Sequence, residues 1–481
     1  LAIYEFVNAG FTAFAIICLI PFVILYVYVA FRWRMFTFWT LITINYFIQM
    51  KDISLPVPMS LPNEILEIIL LAIAVIDARQ SPHFERAGNM MLLALSLWFG
   101  FCCIELLNDT CNLGINVGAW FTGFRLMTLQ LFWIFFIFTI YISSPKNLIT
   151  YLRIWALFSL FSAFWAWKQQ TYGFTTAENI WMETVGRRTH ILNAGTLIRY
   201  FSTFSDAANY GCHAAGAAVA FILTGISSKI NRDKLFFLFI AAAVIWGMFQ
   251  SGTRTAIFCL GAGLLVYVVL SKSIKIATPF LIAFLFFAFI LVFTNIGNGN
   301  QQIRRMRSAF NKDDASASVR DINKEAIRGY IKDAPWGIGL GMGWDNVPAN
   351  NKYFKLATVP PDSEYVFIWI RTGPIGITIF LISMAIMFLG ACSVVLFKLK
   401  SRALIGIGSG LCGAFVAIQL GAYGNQVLYQ YPNGLTFFGG LAIVYILPYL
   451  EPEWNKYEEK RLVEQEERKR LKLEKKLASR V

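Results

Sequence analysis

Residues 372–397 read TGPIGITIFLISMAIMFLGACSVVLF, and no side chain in this stretch carries a charge. A helix of about 20 apolar residues crosses the hydrocarbon core of a bilayer, so the stretch predicts a membrane-spanning helix. Comparable stretches recur along the 481 residues, of which 57% are hydrophobic and only 15% charged. This composition excludes a water-soluble globular protein.

The apolar stretches predict an all-α, polytopic bundle of about 12–14 transmembrane helices. They cover residues 6–31, 35–50, 63–78, 90–108, 117–144, 148–167, 208–227, 235–250, 255–271, 277–295, 363–397, 404–423 and 434–450.

Basic residues fall in every second connection between these stretches, which favours the cytoplasmic side for those connections. They include Arg32, Arg34, residues 79–86, Lys146, residues 229–234, residues 272–275 and residues 398–402. Two longer segments, 168–207 and 297–362, then lie on the opposite, extracytoplasmic side and belong to one membrane domain of residues 1–450. Residues 451–481 mix Glu with Lys and Arg at helical spacing, which predicts a charged cytoplasmic helix near anionic lipid, or else a disordered polar tail.

Arginines lie close to the outer ends of several predicted helices, although the positive-inside bias disfavours that side. Arg199, Arg254 and Arg371 lie at or near such ends, and Arg125 lies about two turns into its helix. Guanidinium groups make strong, often bidentate contacts with phosphate oxygens, so a phosphate ligand is one interpretation. The alternative is that each arginine extends to the interface or pairs with an acid such as Glu105, Asp109 or Asp206.

Four local sequences stand out among the outer connections. They are RYFSTFSDAANYG at 199–211, QSGTRTA at 250–256, SASVR at 316–320 followed by PWGIGLG at 335–341, and PDSEY at 361–365 followed by GPIG at 373–376. In this order they resemble the O-antigen ligase and polysaccharide polymerase family. The resemblance implies a metal-independent, inverting membrane glycosyltransferase of the GT-C type, without a cofactor. It also implies transfer of glycan from a polyprenyl-pyrophosphate carrier on the periplasmic face of the bacterial inner membrane.

The fourth sequence is the most specific of these motifs. Ser363, nine residues, Gly373 and Gly376 keep the spacing of the ligase pattern, but Asp362 stands where that pattern has His. An acceptor hydroxyl must lose its proton as it attacks, and a positioned carboxylate suffices for that step. Asp362 is therefore the first candidate for the base and Glu364 the second. Alternatively, Asp362 is only the N-cap of the helix that follows.

The resemblance also assigns roles to residues in the other motifs. Arg199 and Arg254 would hold the donor pyrophosphate, and Arg320 would help to close the long loop over the carrier or the sugars. Trp336 and Trp344 are candidate sugar contacts, although Trp in outer segments also serves as an interfacial anchor. His190 has no supporting spacing, and we expect it on the surface of the first outer loop. Arg371 stands where relatives often have an acidic residue.

The expected partners are the lipid-linked glycan donor, an acceptor and membrane lipids. The sequence does not choose between lipid A core, a growing polysaccharide and a protein as the acceptor. A net charge of +14 does not indicate nucleic acid, because the basic residues sit between membrane helices. The three His residues lie in separate segments, which disfavours a His-rich metal site. A transporter or lipid-carrier flippase is the main alternative function, and a structural subunit of a secretion machine is another.

Overall fold

The computed structural model describes residues 17–18, 20–53, 58–76, 83–192, 197–299, 301–307 and 315–478. Its α-helices are α1 (Ile20–Arg32), α2 (Arg34–Phe47), α3 (Ser60–Ile76), α4 (Met90–Ile104), α5 (Val117–Tyr141), α6 (Pro145–Thr171), α7 (Thr176–Trp181), α8 (Arg187–His190), α9 (Ala207–Ser227), α10 (Asn231–Gln250), α11 (Arg254–Leu270), α12 (Ile274–Phe293), α13 (Gln301–Arg307), α14 (Ala315–Ile331), α15 (Phe354–Thr358), α16 (Glu364–Ser393), α17 (Arg402–Gly424) and α18 (Gly439–Ala478). A short antiparallel hairpin joins β1 (Ile191–Leu192) to β2 (Leu197–Ile198).

The predicted all-α, multi-pass fold is confirmed. Within the described residues, eight helices are long and apolar enough to cross a membrane, or nine if the pair α1 and α2, bent by 115°, forms one span. The remaining predicted stretches also coincide with helices: α3 and α11, each of 17 residues, and α12 of 20 residues. Residues 6–16 and 19 of the first predicted stretch lie outside the described residues.

Polar side chains fix where several membrane helices begin. Asn89 caps α4 by accepting from the Met91 backbone N–H at 2.9 Å, and Ser144 caps α6 ahead of Pro145. Asp206 caps α9, accepting from Ala208 at 2.7 Å, and Ser363 caps α16. Each cap satisfies backbone donors that the first helical turn cannot pair, a need that is acute next to lipid.

Helix α9 lies at the centre of the bundle, with nearly all of its 21 residues buried. It packs against α10, α11 and α17. Small residues allow these close approaches: α11 and α17 meet at Gly263 and Gly413, where a Cβ on either residue would crowd the carbonyl group of the other. Small residues commonly mediate helix packing in membranes, because dispersion contacts rather than water exclusion hold the helices together.

The last three membrane helices define two opposite faces of the bundle. The loop of residues 297–362 precedes α16, and we call its side the loop face. The C-terminal part of α18 leaves on the other side, the tail face. There Asp233, at the start of α10, accepts from Arg153 at 2.7 Å and from Arg461 of α18 at 3.0 Å. The residues after 450 thus continue the last membrane helix, and their first turns are ion-paired to the bundle.

The loop of residues 297–362 is anchored in the bundle by its glycine-rich segment, 335–341. Helix α16 breaks at Gly373, whose φ is 65° and ψ −173°, just before Pro374. The break exposes the carbonyl oxygens of Ile370 and Arg371, which accept from the N–H groups of Ile338 and Gly339 at 3.0 Å each. The loop therefore completes the hydrogen bonding of a discontinuous membrane helix, as buried irregular backbone requires.

Gly341 should be essential for this anchoring, because a Cβ there would overlap the carbonyl oxygen of Ala119 in α5. We expect Gly341→Ala to lower the free energy of unfolding by about 1–3 kcal/mol, the usual cost of overpacking. Thermal unfolding of the purified protein in detergent measures the change. Gly329→Ala is the matched control, since a Cβ there meets nothing within 4 Å. Equal melting temperatures for the two variants would contradict this account.

Candidate functional site

The turn of residues 250–254, between α10 and α11, lies on the loop face. Arg199 Nε donates to the Ser251 carbonyl oxygen at 3.2 Å. Arg305 Nε, from α13 of the long loop, donates to the Gly252 carbonyl oxygen at 2.7 Å. Gly252 adopts a φ of 56°, in the left-handed region that favours glycine. Two outer segments thus place arginines on consecutive carbonyl groups of one turn. Arg305 was not among the residues that the sequence analysis proposed for this site.

Further contacts hold Arg199 in a fixed orientation. Its Nη1 donates to the Thr189 carbonyl oxygen at 2.9 Å, and its Nη2 donates to the Thr253 hydroxyl oxygen at 3.0 Å. The Thr253 hydroxyl in turn donates to the Ala207 carbonyl oxygen at 2.7 Å. Arg199 therefore joins the first outer loop, the 250–254 turn and the start of α9, and its positive charge lies at their junction.

Arg254, the other predicted phosphate ligand, is the first residue of α11 and is half-buried. The next residue, Thr255, faces the outer end of α17. Asn425 Nδ2 donates to the Thr255 hydroxyl oxygen at 3.4 Å, and a Cβ at Gly424 would lie 3.0 Å from that oxygen. The arginine turn thus lies directly beside residues 424–425.

Asp362 lines a small, partly open cavity on the other side of Gly424. The cavity walls are formed by Asn323, Lys324, Ile327, Pro360, Asp362, Ser363, Val366, Tyr423 and Gly424. Asn323 Nδ2, on α14, donates to Asp362 Oδ2 at 2.9 Å. The Lys324 ammonium lies 5.1 Å from the centre of the Tyr423 ring. The Asp362 carboxylate therefore lines a cavity between the long loop and two membrane helices, α16 and α17.

The structure decides one alternative for Asp362. The N-cap of α16 is Ser363, whose hydroxyl oxygen accepts from the Val366 backbone N–H at 3.1 Å. The interpretation of Asp362 as merely the helix cap is therefore wrong, because the neighbouring serine caps the helix and the Asp362 side chain contacts Asn323.

Glu364, the second candidate base, has a different environment. It is only 4% exposed, and its Oε2 accepts from the Leu428 backbone N–H at 3.0 Å. Its carboxylate thereby holds the connection between α17 and α18. Of the two candidate carboxylates, Asp362 is thus the one that lines the cavity.

Arg320 lies in α14, but its side chain is outside the described part of the structure. The backbone of α14 places Arg320 three residues before Asn323.

The two tryptophans proposed as sugar contacts differ in environment. The Trp336 ring stacks on Phe101 of α4, with ring centres 5.8 Å apart, and its carbonyl oxygen accepts from Asn108. Trp344 is 75% exposed. Arg371 lies further along α16, with its guanidinium 5.2 Å from the centre of the Phe367 ring. The cavity that Asp362 lines includes none of these three side chains.

His190 was expected on the surface, and this expectation is wrong. The side chain is 2% exposed, and its Nε2 accepts from the Ala207 backbone N–H at 3.0 Å, which helps to cap α9. Burial, and then the nearby charge of Arg199, lower the pKa of His190 to about 4. The imidazole is a neutral structural acceptor whose role depends on a partner 17 residues away.

Lys51 and Glu64 are two loop-face residues that the sequence interpretation missed. Lys51 Nζ donates to the Ser205 carbonyl oxygen at 2.8 Å, and burial lowers the pKa of this ammonium to about 8. Glu64, on α3, accepts from Arg125 at 3.2 Å and from Gln130 at 3.3 Å. Arg125 is thus paired with an acid, although not with one of those proposed. Glu64 and Glu67 in an apolar stretch could have indicated a buried polar contact.

Metal-binding side chains do not cluster in the described regions. No group of three or more His, Cys, Asp or Glu residues is arranged there to hold a metal ion.

Part of the chain matches the model of a known protein family. Residues 239–381 match the family model described as O-antigen ligase. The match supports an O-antigen ligase/polymerase-like family. The matched region contains the 250–254 turn, the long loop, Asp362 and the break at Gly373, but not Arg199. No curated protein matches the chain. The match supports glycan transfer of this general type by a multi-pass membrane protein.

The pKa of His190 leads to a testable pH dependence of stability. Because the folded-state pKa lies below the usual 6.5, the stabilisation is complete above pH 6.5 and is lost as the pH falls toward 4. Acidification from pH 6.5 to 5 should cost up to about 2 kcal/mol through this group. His190→Gln keeps a neutral acceptor, so melting curves in detergent should depend less on pH for this variant. Identical pH dependence in both proteins would refute the assignment.

Proposed function

We propose that the protein transfers a glycan from a polyprenyl-pyrophosphate donor to an acceptor hydroxyl, with its loop face on the periplasmic side of the bacterial inner membrane. Asp362 acts as the general base. The charges of Arg199 and Arg254, joined by Arg305, bind the pyrophosphate. Arg320, in α14, contributes to closing the loop over the donor.

The proposal rests on one observation: the cavity that Asp362 lines and the arginine-rich turn at 250–254 are adjacent. Gly424 separates them: it lines the Asp362 cavity on one side and contacts Thr255, the neighbour of Arg254, on the other. Glycosyl transfer needs a base beside the acceptor hydroxyl that attacks the anomeric carbon of the donor. It also needs positive charge near the leaving group, a few bonds away. The loop face thus combines a carboxylate at an open cavity with an arginine-rich turn beside it.

The reaction would proceed by direct displacement. The acceptor oxygen forms a bond to the anomeric carbon while the bond between that carbon and the pyrophosphate oxygen breaks, which inverts the configuration. The hydroxyl proton passes to the Asp362 carboxylate. The bonding electrons leave with the carrier pyrophosphate, where the arginine charges stabilise the developing negative charge. Arg199 and Arg305 are already oriented by backbone oxygens, so these two side chains need little reorganisation when the charge develops.

The contacts at the break in helix α16 also favour an enzyme over the alternative of a transporter. Transporters often bind their substrates at broken helices near the middle of the membrane. Helix α16 is broken, but the break is filled by the backbone of residues 335–339, which hydrogen-bonds to Ile370 and Arg371. The broken helix therefore holds the loop in place, which favours a loop-covered enzyme site.

Removal of either group should abolish transfer. We expect Asp362→Asn to reduce the transfer rate about 10²–10⁴-fold, because the base is lost while the side-chain shape is kept. Arg254→Gln should reduce it about 10²–10³-fold through loss of leaving-group stabilisation. Both variants are tested by complementing a strain that lacks the gene and separating its surface glycans and glycoproteins on gels.

Two variants on the same loop serve as matched controls. Asp333→Asn and Arg328→Gln remove the same charges by the same substitutions from exposed positions, where each side chain forms a surface ion pair. Both should restore the normal glycan pattern. If Asp362→Asn and Arg254→Gln restore it equally well at equal protein levels, the proposal fails. The missing product, whether lipid-attached, long-chain or protein-attached glycan, identifies the acceptor.

A further inference from the structure

We infer that Asn323 is a positioning residue that orients the Asp362 carboxylate, so that the base is correctly placed only while α14 is docked over the cavity. This inference rests on the proposed function of Asp362. It adds a residue of the long loop to the reaction and assigns α14 a specific task.

The central contact is the hydrogen bond from Asn323 Nδ2 to Asp362 Oδ2, 2.9 Å long. A carboxylate has two oxygens on one rigid plane, so a fixed partner for Oδ2 also limits where Oδ1 points. Asp362 precedes the Ser363 cap and is therefore outside the regular helix. Its backbone alone does not fix the side chain in the way that a helix interior would. The amide of Asn323 supplies that restraint from another segment.

A second contact holds α14 in the same place. The Lys324 ammonium lies over the Tyr423 ring, at the outer end of α17. Ile327, one turn later, is fully buried and also lines the cavity. Consecutive residues of α14 therefore contact the two membrane helices that form the cavity, Asn323 towards α16 and Lys324 towards α17. These contacts define one docked position of α14.

Arg320 makes this position relevant to the donor. The proposed function assigns it a role in closing the loop over the donor, and it precedes Asn323 by one turn of α14. A donor that binds α14 would stabilise the docked position and, with it, the orientation of Asp362. Completing a catalytic site through loop closure is a common way to couple substrate binding to chemistry.

The chemical character of Asn323 gives a specific test. The described charged and titratable groups that line the cavity with Asp362 are Lys324 on α14 and Tyr423 on α17, and Glu364 follows Asp362 by two residues in the chain. An amide donates a hydrogen bond to a carboxylate at any pH. A carboxylate in its place could share a proton with Asp362 only at low pH, and once both groups are ionised it could not donate to Asp362 and would repel it.

The experiment measures transfer rates between pH 5 and 9. Purified protein is added to membranes of the strain lacking the gene, which contain both its lipid-linked glycan and its acceptor. We expect Asn323→Leu to lower kcat about 10–100-fold at every pH, with little change in KM for the donor, because the base is misoriented. Asn323→Asp should lower kcat at least as far in the upper part of this range, because an ionised carboxylate cannot donate a hydrogen bond to Asp362 and repels it. Thermal unfolding in detergent, with melting temperatures close to that of the wild type, would establish that both variants are folded.

Asn350→Asp is the matched control, since it adds the same charge at an exposed loop position that does not line the cavity. It should keep the wild-type profile. The inference is overturned if Asn323→Leu and Asn323→Asp both retain the wild-type kcat and pH profile while Asp362→Asn is inactive. If Asp362→Asn is fully active, the proposed function itself has failed, and the two failures are thus distinguishable.

Discussion

Backbone carbonyl groups at the boundary of a membrane must find hydrogen-bond donors, and in this protein arginines provide them for the turn at 250–254. Arg199 binds the carbonyl oxygen of Ser251, and Arg305 binds that of Gly252. Loss of these bonds would leave polar groups unpaired where water is scarce, at a cost of several kcal/mol for each. The turn therefore fixes the relative positions of the first outer loop, the long loop and α9 to α11.

The same arrangement concentrates positive charge on the loop face. An arginine that donates a hydrogen bond to a carbonyl oxygen keeps its full positive charge. One side chain can therefore stabilise the turn and also bind an anion. Asp362 lies beyond Gly424, on a surface made by α14 and the outer ends of α16 and α17. The candidate site is thus a seam between the long loop and the membrane helices. Each side of the seam depends on the other, because the loop residues 335–339 also complete the broken helix α16.

The fold could be predicted well because lipid imposes a simple requirement: long apolar stretches must become helices. The order of the motifs correctly indicated that the 250–254 turn, the long loop and Asp362 belong to one family region. Side-chain partners were harder to predict. Whether Asp362 or Ser363 caps α16 depends on local geometry, and the burial of His190 depends on contact with Ala207. The pairing of Arg125 with Glu64 joins residues 61 positions apart, which no local pattern encodes.

A cryo-electron-microscopy structure of the protein with its lipid-linked glycan donor would test the central claim most directly. The account predicts that the pyrophosphate contacts arginine side chains at the 250–254 turn, with the anomeric carbon facing the cavity that Asp362 lines. It also predicts that α14 covers the first sugar while Asn323 remains hydrogen-bonded to Asp362. A donor bound with its pyrophosphate at the tail face, or on the loop face out of reach of both the turn and Asp362, would contradict the account.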